Sequence, residues 1–226
     1  MRPTAIAFDL DWTLSYYPLS SADVTRQAFA LIDMPEPSMG FEAMAVQFNA
    51  LWVETERQQS STHSTRKAVF QQIFEEASDA FLEKLARAYD EIRRESGVRL
   101  YPGALELLAA LRARYRLGLL TNGATEMQWE KLRILGIESL FDAIIVAGDH
   151  GIYKPSKDVF ELLADRLGCP ISEILFVGDN YEADVRGAHE AGLASVWLRH
   201  PGTEPSGTPC HDHVIDTIAQ LKDCCL

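Results

Sequence analysis

The sequence predicts an α/β protein, a doubly wound parallel sheet interrupted by an all-helical insertion, and three observations carry that expectation. First, the stretch Ala5 to Leu14 starts as a short apolar, β-prone run and ends in two aspartates, Asp9 and Asp11, so it reads as a buried strand that delivers acids at its C-terminal edge. Second, from Tyr101 onward short apolar runs alternate strictly with helical patterns, which implies right-handed crossovers and a sheet covered on both faces. Third, the region between them, up to Gly97, carries only helical periodicity. The organisation is therefore discontinuous, with residues 1–14 and 98–226 forming the α/β core and residues 15–97 the helical insertion.

Each element has a local reason. After Asp11 an aromatic and turn-rich segment reads as a flap that cannot prolong the strand past Pro18. Ser20 or Ser21 caps a helix running to about Ile32, and two prolines between Met34 and Gly40 interrupt it. Apolar residues then recur at helical spacing in Met44, Phe48, Leu51 and Trp52, in Val69, Ile73 and Phe74, and in Phe81, Leu85, Ala88, Tyr89 and Ile92. About four helices thus fill the insertion. In the core, Pro102 and Gly103 open a helix from Ala104 to Arg114, and Leu117 to Thr121 is a strand ending in Thr-Asn-Gly. A helix from Ala124 stops at Gly136, Ala143 to Ala147 is a strand, and the helix from Ser156 closes at Gly168. Ile174 to Gly178 is a strand running into Asp179, followed by a helix from Glu182 to Ala191 and a fifth strand from Ala194 to Leu198. The tail from Val214 holds a short apolar piece and a final helix.

Composition narrows the function classes. With 226 residues, 47% hydrophobic and 24% charged, the chain can bury one sizeable core plus a small accessory one. A formal charge of -12 and a pI near 4.9 argue against a nucleic-acid polymer or an anionic membrane as partner, since both need clustered Lys and Arg. Any anionic ligand must be captured locally. The residues before Asp9 leave no uninterrupted signal-peptide core and no later apolar run nears the roughly 18 residues of a membrane span, so a soluble, cytoplasmic protein is expected. Cys169, Cys210, Cys224 and Cys225 are too few for a disulfide framework and are expected as reduced thiols. Cys210-His211-Asp212-His213 lacks a second ligand pair nearby and reads as a solvated loop, and the terminal Cys-Cys-Leu reads as a tail rather than a prenylation signal.

The chemistry gathers at the strand ends. Residues two apart in an extended segment point to one side, so Asp9 and Asp11 crowd two carboxylates into one small volume. That arrangement calls for a metal, acid/base work or both, unless the acids merely cap the next element. Ligands in doubly wound sheets bind beyond the carboxyl ends of the strands. Those ends carry Asp9 and Asp11, then Thr121 and Asn122, then Asp179 with Asp184 five residues on, while Lys154 enters from the loop after the third strand. The termini of a parallel sheet face one side, so these groups converge into a pocket of three or four carboxylates, a hydroxyl and an ammonium. With oxygen donors only, the cation should be hard, with Mg²⁺ the expected one. Such a set suits phosphoryl transfer: one carboxylate attacks phosphorus, its charge offset by Mg²⁺ and Lys154, while the other protonates the departing alkoxide.

Asp9-Leu-Asp11-Trp-Thr13, Thr121-Asn122-Gly123, Lys154-Pro155 and Gly178-Asp179-Asn180 with Asp184 resemble, in order and in strand context, the four motifs of the haloacid dehalogenase-like hydrolase superfamily. The resemblance spans the chain and is nearest to the phosphatase and nucleotidase branch. It implies a Rossmann-like core and identifies the insertion, residues 15–97, with that superfamily's helical cap of the C1 type. It further implies Asp9 as a nucleophile that becomes an aspartyl phosphate. Asp11 would be general acid and then base, with its main-chain carbonyl on Mg²⁺. Asp179 and Asp9 would be direct Mg²⁺ ligands, with Asp184 in support, and Thr121, Asn122 and Lys154 would hold phosphate. Trp12 departs from the smaller residue many relatives carry there, leaving an indole to occlude the cleft or meet a substrate.

In the insertion, Met44, Phe48 and Trp52 read as core, and Tyr16, Tyr17, Asn49, His63, Arg66 and Lys67 are the polar or amphipathic residues that could reach a cleft. The expected activity is Mg²⁺-dependent hydrolysis of a small phosphorylated metabolite such as a nucleotide, a phosphosugar or phosphoglycolate. The alternatives are a 2-haloacid dehalogenase, which has no use for an acid at Asp11 or for Mg²⁺, a phosphosugar mutase on the same scaffold, and a non-enzymatic phospho-receiver module, which needs no helical insertion.

Overall fold

A computed structural model describes residues 3–56, 61–205 and 207–225, the side chains of Val53 and Cys224 excepted. Met1 and Leu226, on which the leader and tail readings partly rest, lie outside the described residues. The chain opens with β1 (Ala5–Phe8) and the two-residue β2 (Ser15–Tyr16). Among the described residues four helices follow, α1 (Ser21–Leu31), α2 (Phe41–Glu56), α3 (Thr62–Ile73) and α4 (Asp79–Ser96). Next come β3 (Arg99–Leu100), α5 (Ala104–Arg112), β4 (Arg116–Thr121), α6 (Thr125–Leu135), β5 (Ala143–Val146) and α7 (Ala147–His150). α8 (Lys157–Leu167), β6 (Ile174–Gly178), α9 (Gly187–Ala191), β7 (Ala194–Leu198), β8 (His213–Ile215) and α10 (Leu221–Cys225) complete the order. Two units result, one of Met1–Tyr16 with Arg99–Leu226 and one of Tyr17–Val98. Among the described residues no helix is long and apolar enough to cross a membrane.

In the α/β unit the six-stranded sheet runs β5-β4-β1-β6-β7-β8 with every neighbouring pair parallel. Counted along the chain without the short β2 and β3, this is the Rossmann-like order, which reverses direction between β1 and β6. The alternation of side chains along β1 explains its composition. Ile6 and Phe8 pack with Leu107, Leu119 and Val177 on one side, and Ala5 and Ala7 with Leu120, Phe160 and Phe176 on the other. The alanine side is tight: a Cβ on Gly118 would meet Leu163 and Leu167 at 3.1 Å and the Ala7 Cβ at 3.2 Å.

Three local features differ from the sequence expectation. The apolar piece around Val214 is a sixth parallel strand, β8, paired to β7, and the loop leading into it, exposed at Asp212 as expected, is tied down. The Cys210 amide donates to the Tyr181 hydroxyl at 2.8 Å and the Ser195 amide to Asp212 at 2.8 Å. β2 and β3 form an antiparallel ribbon of two residues each, too short to leave a periodicity. The helix expected from Glu182 is a π-helical turn, Tyr181–Arg186, that passes into α9.

In the helical unit, Phe29, Phe41, Met44, Phe48, Phe70, Leu82, Leu85 and Tyr89 form the core. The Phe48 and Tyr89 rings stack at 5.2 Å between centroids. Ser20, Ser61 and Ser78 each accept a backbone N–H from the first turn of the helix they precede, satisfying donors that would otherwise be orphaned.

Candidate active site

The order reversal between β1 and β6 decides where the acids meet. Asp9 leaves β1 with its amide bonded to the Val177 carbonyl at 2.9 Å, and Asp179 leaves the end of the neighbouring β6. Ligand oxygens of Asp9, Asp179 and Asp184 all lie within 4.8 Å of one another. Lys154 reaches the same point, its ammonium 2.6 Å from Asp9 Oδ1, 2.7 Å from Asp184 Oδ1 and 3.0 Å from the Leu120 carbonyl. With 3% exposure, Lys154 is a charge buried only because all its donors are used.

The neighbouring strand end supplies the scaffold. The Asn122 side chain accepts from the Lys154 amide at 2.9 Å and donates to the Lys154 carbonyl at 3.0 Å, pinning the loop that delivers the lysine. Thr121 is buried and its hydroxyl donates to the Asn122 carbonyl at 3.1 Å. Thr13 donates to Asp179 Oδ1 at 3.2 Å, and the Trp197 indole donates to the Asp179 carbonyl at 3.0 Å.

Asp11, the second acid of the first motif, is held apart from the trio. The Lys131 ammonium lies 2.9 Å from Asp11 Oδ1 and 2.6 Å from Oδ2, and Gln128 donates to Oδ2 at 3.0 Å. Trp12 follows with a left-handed φ of 62° and an exposure of 46%. Its amide donates to the Ser15 carbonyl and its carbonyl meets His200 Nε2 at 2.7 Å, so the sharp turn after Asp11 is kept with a residue that pays for it in backbone strain.

Crowding sets the protonation states. Burial, opposed by Lys154 and reinforced by Asp184, pushes the Asp9 carboxyl up to about 7. Burial, with Asp184 and Asp9 as like charges, raises Asp179 well above the usual carboxylate range. Burial works against the Lys154 ammonium, but Asp184 and Asp9 outweigh it and raise its pKa above the ordinary lysine value. With all four carboxylates ionised, two ammonium groups would leave a deficit of two positive charges, which is why Asp9 and Asp179 hold on to protons without a cation. That deficit and an all-oxygen donor set fit a hard divalent cation, which Asp9, Asp179 and Asp184 could hold.

The sequence profile of the haloacid dehalogenase-like hydrolases matches residues 3–192. The chain belongs to that family. Among curated relatives, the pyrimidine 5'-nucleotidase YjjG of Escherichia coli (strain K12) is 37% identical over 108 residues, 47% of this chain and 48% of that one. The chain thus spans about half the length of that relative. The glyceraldehyde 3-phosphate phosphatase of Methanopyrus kandleri is 28% identical over 97% of this chain and 95% of its own. Among solved structures, the HAD-hydrolase YfnB of Bacillus subtilis bound to magnesium superposes with a TM-score of 0.76 at 24% identity, covering 99% of each chain, a likeness of fold.

Within this family member, Asp9, Asp179, Asp184 and Lys154 are brought to one point, Thr121 and Asn122 stand on the adjacent strand end, and Asp11 stands beside them on Lys131. Gln128 and Lys131 are missing from the sequence reading, and Thr13 stands there only as part of the first motif, without a role. Their signal was faint: Gln128 and Lys131 lie three apart on α6, on the face that buries Leu132, a polar pair where apolar residues were due. The remaining candidates in the helical unit are engaged within it. Ser21 donates to Asn49, His63 and Arg66 meet Asp90, Lys67 lies 2.8 Å from Asp79, and the Arg93 guanidinium lies over the Tyr17 ring. Tyr16, in the α/β unit, packs on Tyr101 with 4.9 Å between ring centroids.

Proposed function

We propose that the chain is a Mg²⁺-dependent phosphomonoester hydrolase that works through an aspartyl-phosphate intermediate on Asp9. The observation that carries this reading is the separation of the acids into two environments. Asp9 joins Asp179 and Asp184 around Lys154, while Asp11 stands apart on Lys131 and Gln128. That separation supports a reading in which one carboxylate bonds to phosphorus and the other does the proton work.

A Mg²⁺ ion would be held by the side chains of Asp9 and Asp179, by the Asp11 carbonyl and by Asp184 in support, and when bound it supplies charge that offsets the phosphate. An oxygen of Asp9 attacks phosphorus and the P–O bond to the leaving group breaks. The Asp11 carboxyl gives its proton to the departing oxygen, leaving a neutral alcohol. Asp11, now a carboxylate, takes a proton from the water that attacks the acyl phosphate, which frees inorganic phosphate and restores Asp9. Thr121, the Asn122 segment and Lys154 hold the phosphoryl oxygens, Lys154 exchanging its bond to Asp9 for one to phosphate as Asp9 attacks. Residues 15–97 are a C1-type cap on this reading, and the substrate is a small phosphorylated metabolite. The nucleotidase name of the Escherichia coli relative and the phosphatase name of the Methanopyrus relative support that substrate class. A 2-haloacid dehalogenase, which protonates no leaving group, would have no use for a second, separately held acid at Asp11.

The test is phosphate release from nucleoside monophosphates, sugar phosphates and phosphoglycolate, with Mg²⁺ or with chelator, for the wild type and Asp9→Asn. Turnover that needs both Mg²⁺ and Asp9 is the expected result. Halide release from a 2-haloacid with no phosphate release would overturn the reading.

A further inference from the structure

Asp11 is not left to find its own orientation. Lys131, 5% exposed, and Gln128, 2% exposed, stand three apart on α6 and close on it from one side. Oδ2 accepts from both, at 2.6 Å from Lys131 and 3.0 Å from Gln128, whereas among the described residues Oδ1 accepts from Lys131 alone, at 2.9 Å. The Gln128 amide also donates to the Asn122 carbonyl at 2.7 Å, tying Asp11 to the strand end beside it. Room for that amide comes from Gly123. A Cβ there would come within 2.5 Å of Gln128 Nε2, and its φ of 120° suits glycine alone. Burying a lysine and a glutamine amide on the leading helix of a crossover is costly unless their partner is worth holding.

We propose that Gln128 and Lys131 are positioning residues that hold the Asp11 carboxyl in one orientation, so that Oδ2 is anchored and Oδ1 is the oxygen that exchanges the proton with the leaving group. The proposal rests on the phosphatase reading above. The anchored oxygen carries two donors and has no remaining task, while the other keeps a single contact and can carry a proton. Both side chains reach Asp11 directly and would act through it.

The test compares kcat/KM, which reports the transfer step, for an alkyl phosphate that the wild type hydrolyses and for p-nitrophenyl phosphate, whose leaving group needs little protonation. Lys131→Met should lose about tenfold or more on the alkyl ester and much less on the aryl ester. Lys131→Arg should recover part of the loss, and in an Asp11→Asn background Lys131→Met should add nothing. A purely structural role would cut both esters alike. Thermal unfolding checks that each variant folds, and if Lys131→Met does not, Gln128→Leu is read in the same way. Equal losses on both esters, or none on either, overturn the positioning role alone. Phosphate release from neither ester by the wild type removes the phosphatase reading, and the positioning role with it.

Discussion

The carboxyl group of Asp184 fills the space where a side chain on Gly178 would stand: a Cβ there would come within 2.4 Å of the Asp184 carboxyl atoms. Gly178 is the last residue of β6, and the π-helical turn after it folds Asp184 back beneath the strand end, where Asp184 accepts the Asn180 amide at 3.0 Å and meets Lys154 at 2.7 Å. Single π-turns of this kind are frequent at functional sites.

Gly178→Ala is therefore expected to displace Asp184 and with it Lys154. Overpacking of this kind costs about 1–3 kcal/mol, read as a lower melting temperature together with a loss of turnover. An alanine variant with unchanged stability and rate would show that Asp184 has room to move.

Lys154→Met should be more damaging to the fold. It leaves Asp9 and Asp184 facing each other in a buried site without their shared cation, and breaking a buried pair costs about 3–5 kcal/mol. Denaturant unfolding measures this. A midpoint equal to the wild type's would mean that the two acids take up protons at no cost.

The raised pKa of Asp9 makes stability depend on pH. Without a cation the folded chain keeps a proton on Asp9 up to about 7, whereas the unfolded chain releases it near 3.8. Between those values the folded state binds more protons, so this site's contribution to stability falls as the pH rises through the window and levels off above it. Asp179 is raised in the same direction. In chelator, the wild type should lose melting temperature relative to Asp9→Asn between pH 5 and pH 7.5, and a gap that moves the other way would contradict the assignment.

A divalent cation should reverse that penalty. Mg²⁺ at a hundred times its dissociation constant stabilises the folded state by about 2.7 kcal/mol, seen as a thermal shift that Asp179→Asn abolishes. A shift that survives Asp179→Asn would place the cation elsewhere.

Trp12 holds its left-handed φ of 62° without the freedom of glycine. Trp12→Gly should relieve about 1 kcal/mol of strain, which for a chain of this size raises the melting temperature by roughly 2–4 °C. A lower melting temperature would mean that the half-exposed indole contributes more by packing than its backbone costs.

Most of the fold was legible in the sequence because it is written in local chemistry. The apolar runs of β1, β4, β6 and β7 mark buried parallel strands, Ser20 marks the start of α1, and Gly136, Gly168 and Gly192 mark helix ends through their left-handed conformation. β8 and the β2–β3 ribbon were not, since two or three residues make no periodicity and their pairing is supplied by distant strands. The acids at the strand ends were legible for the same reason as the strands, because in a parallel sheet the end of a strand is a place as well as a position in the chain. What the sequence by itself determined is the set of groups at those ends and the order in which the chain presents them. Tertiary structure alone decided how they are shared: Lys154 between Asp9 and Asp184, Asn122 on the Lys154 backbone, and Lys131 with Gln128 on Asp11. A buried charge takes whichever partner the packed chain brings within reach, and these partners lie between 30 and 145 residues away from the groups they hold.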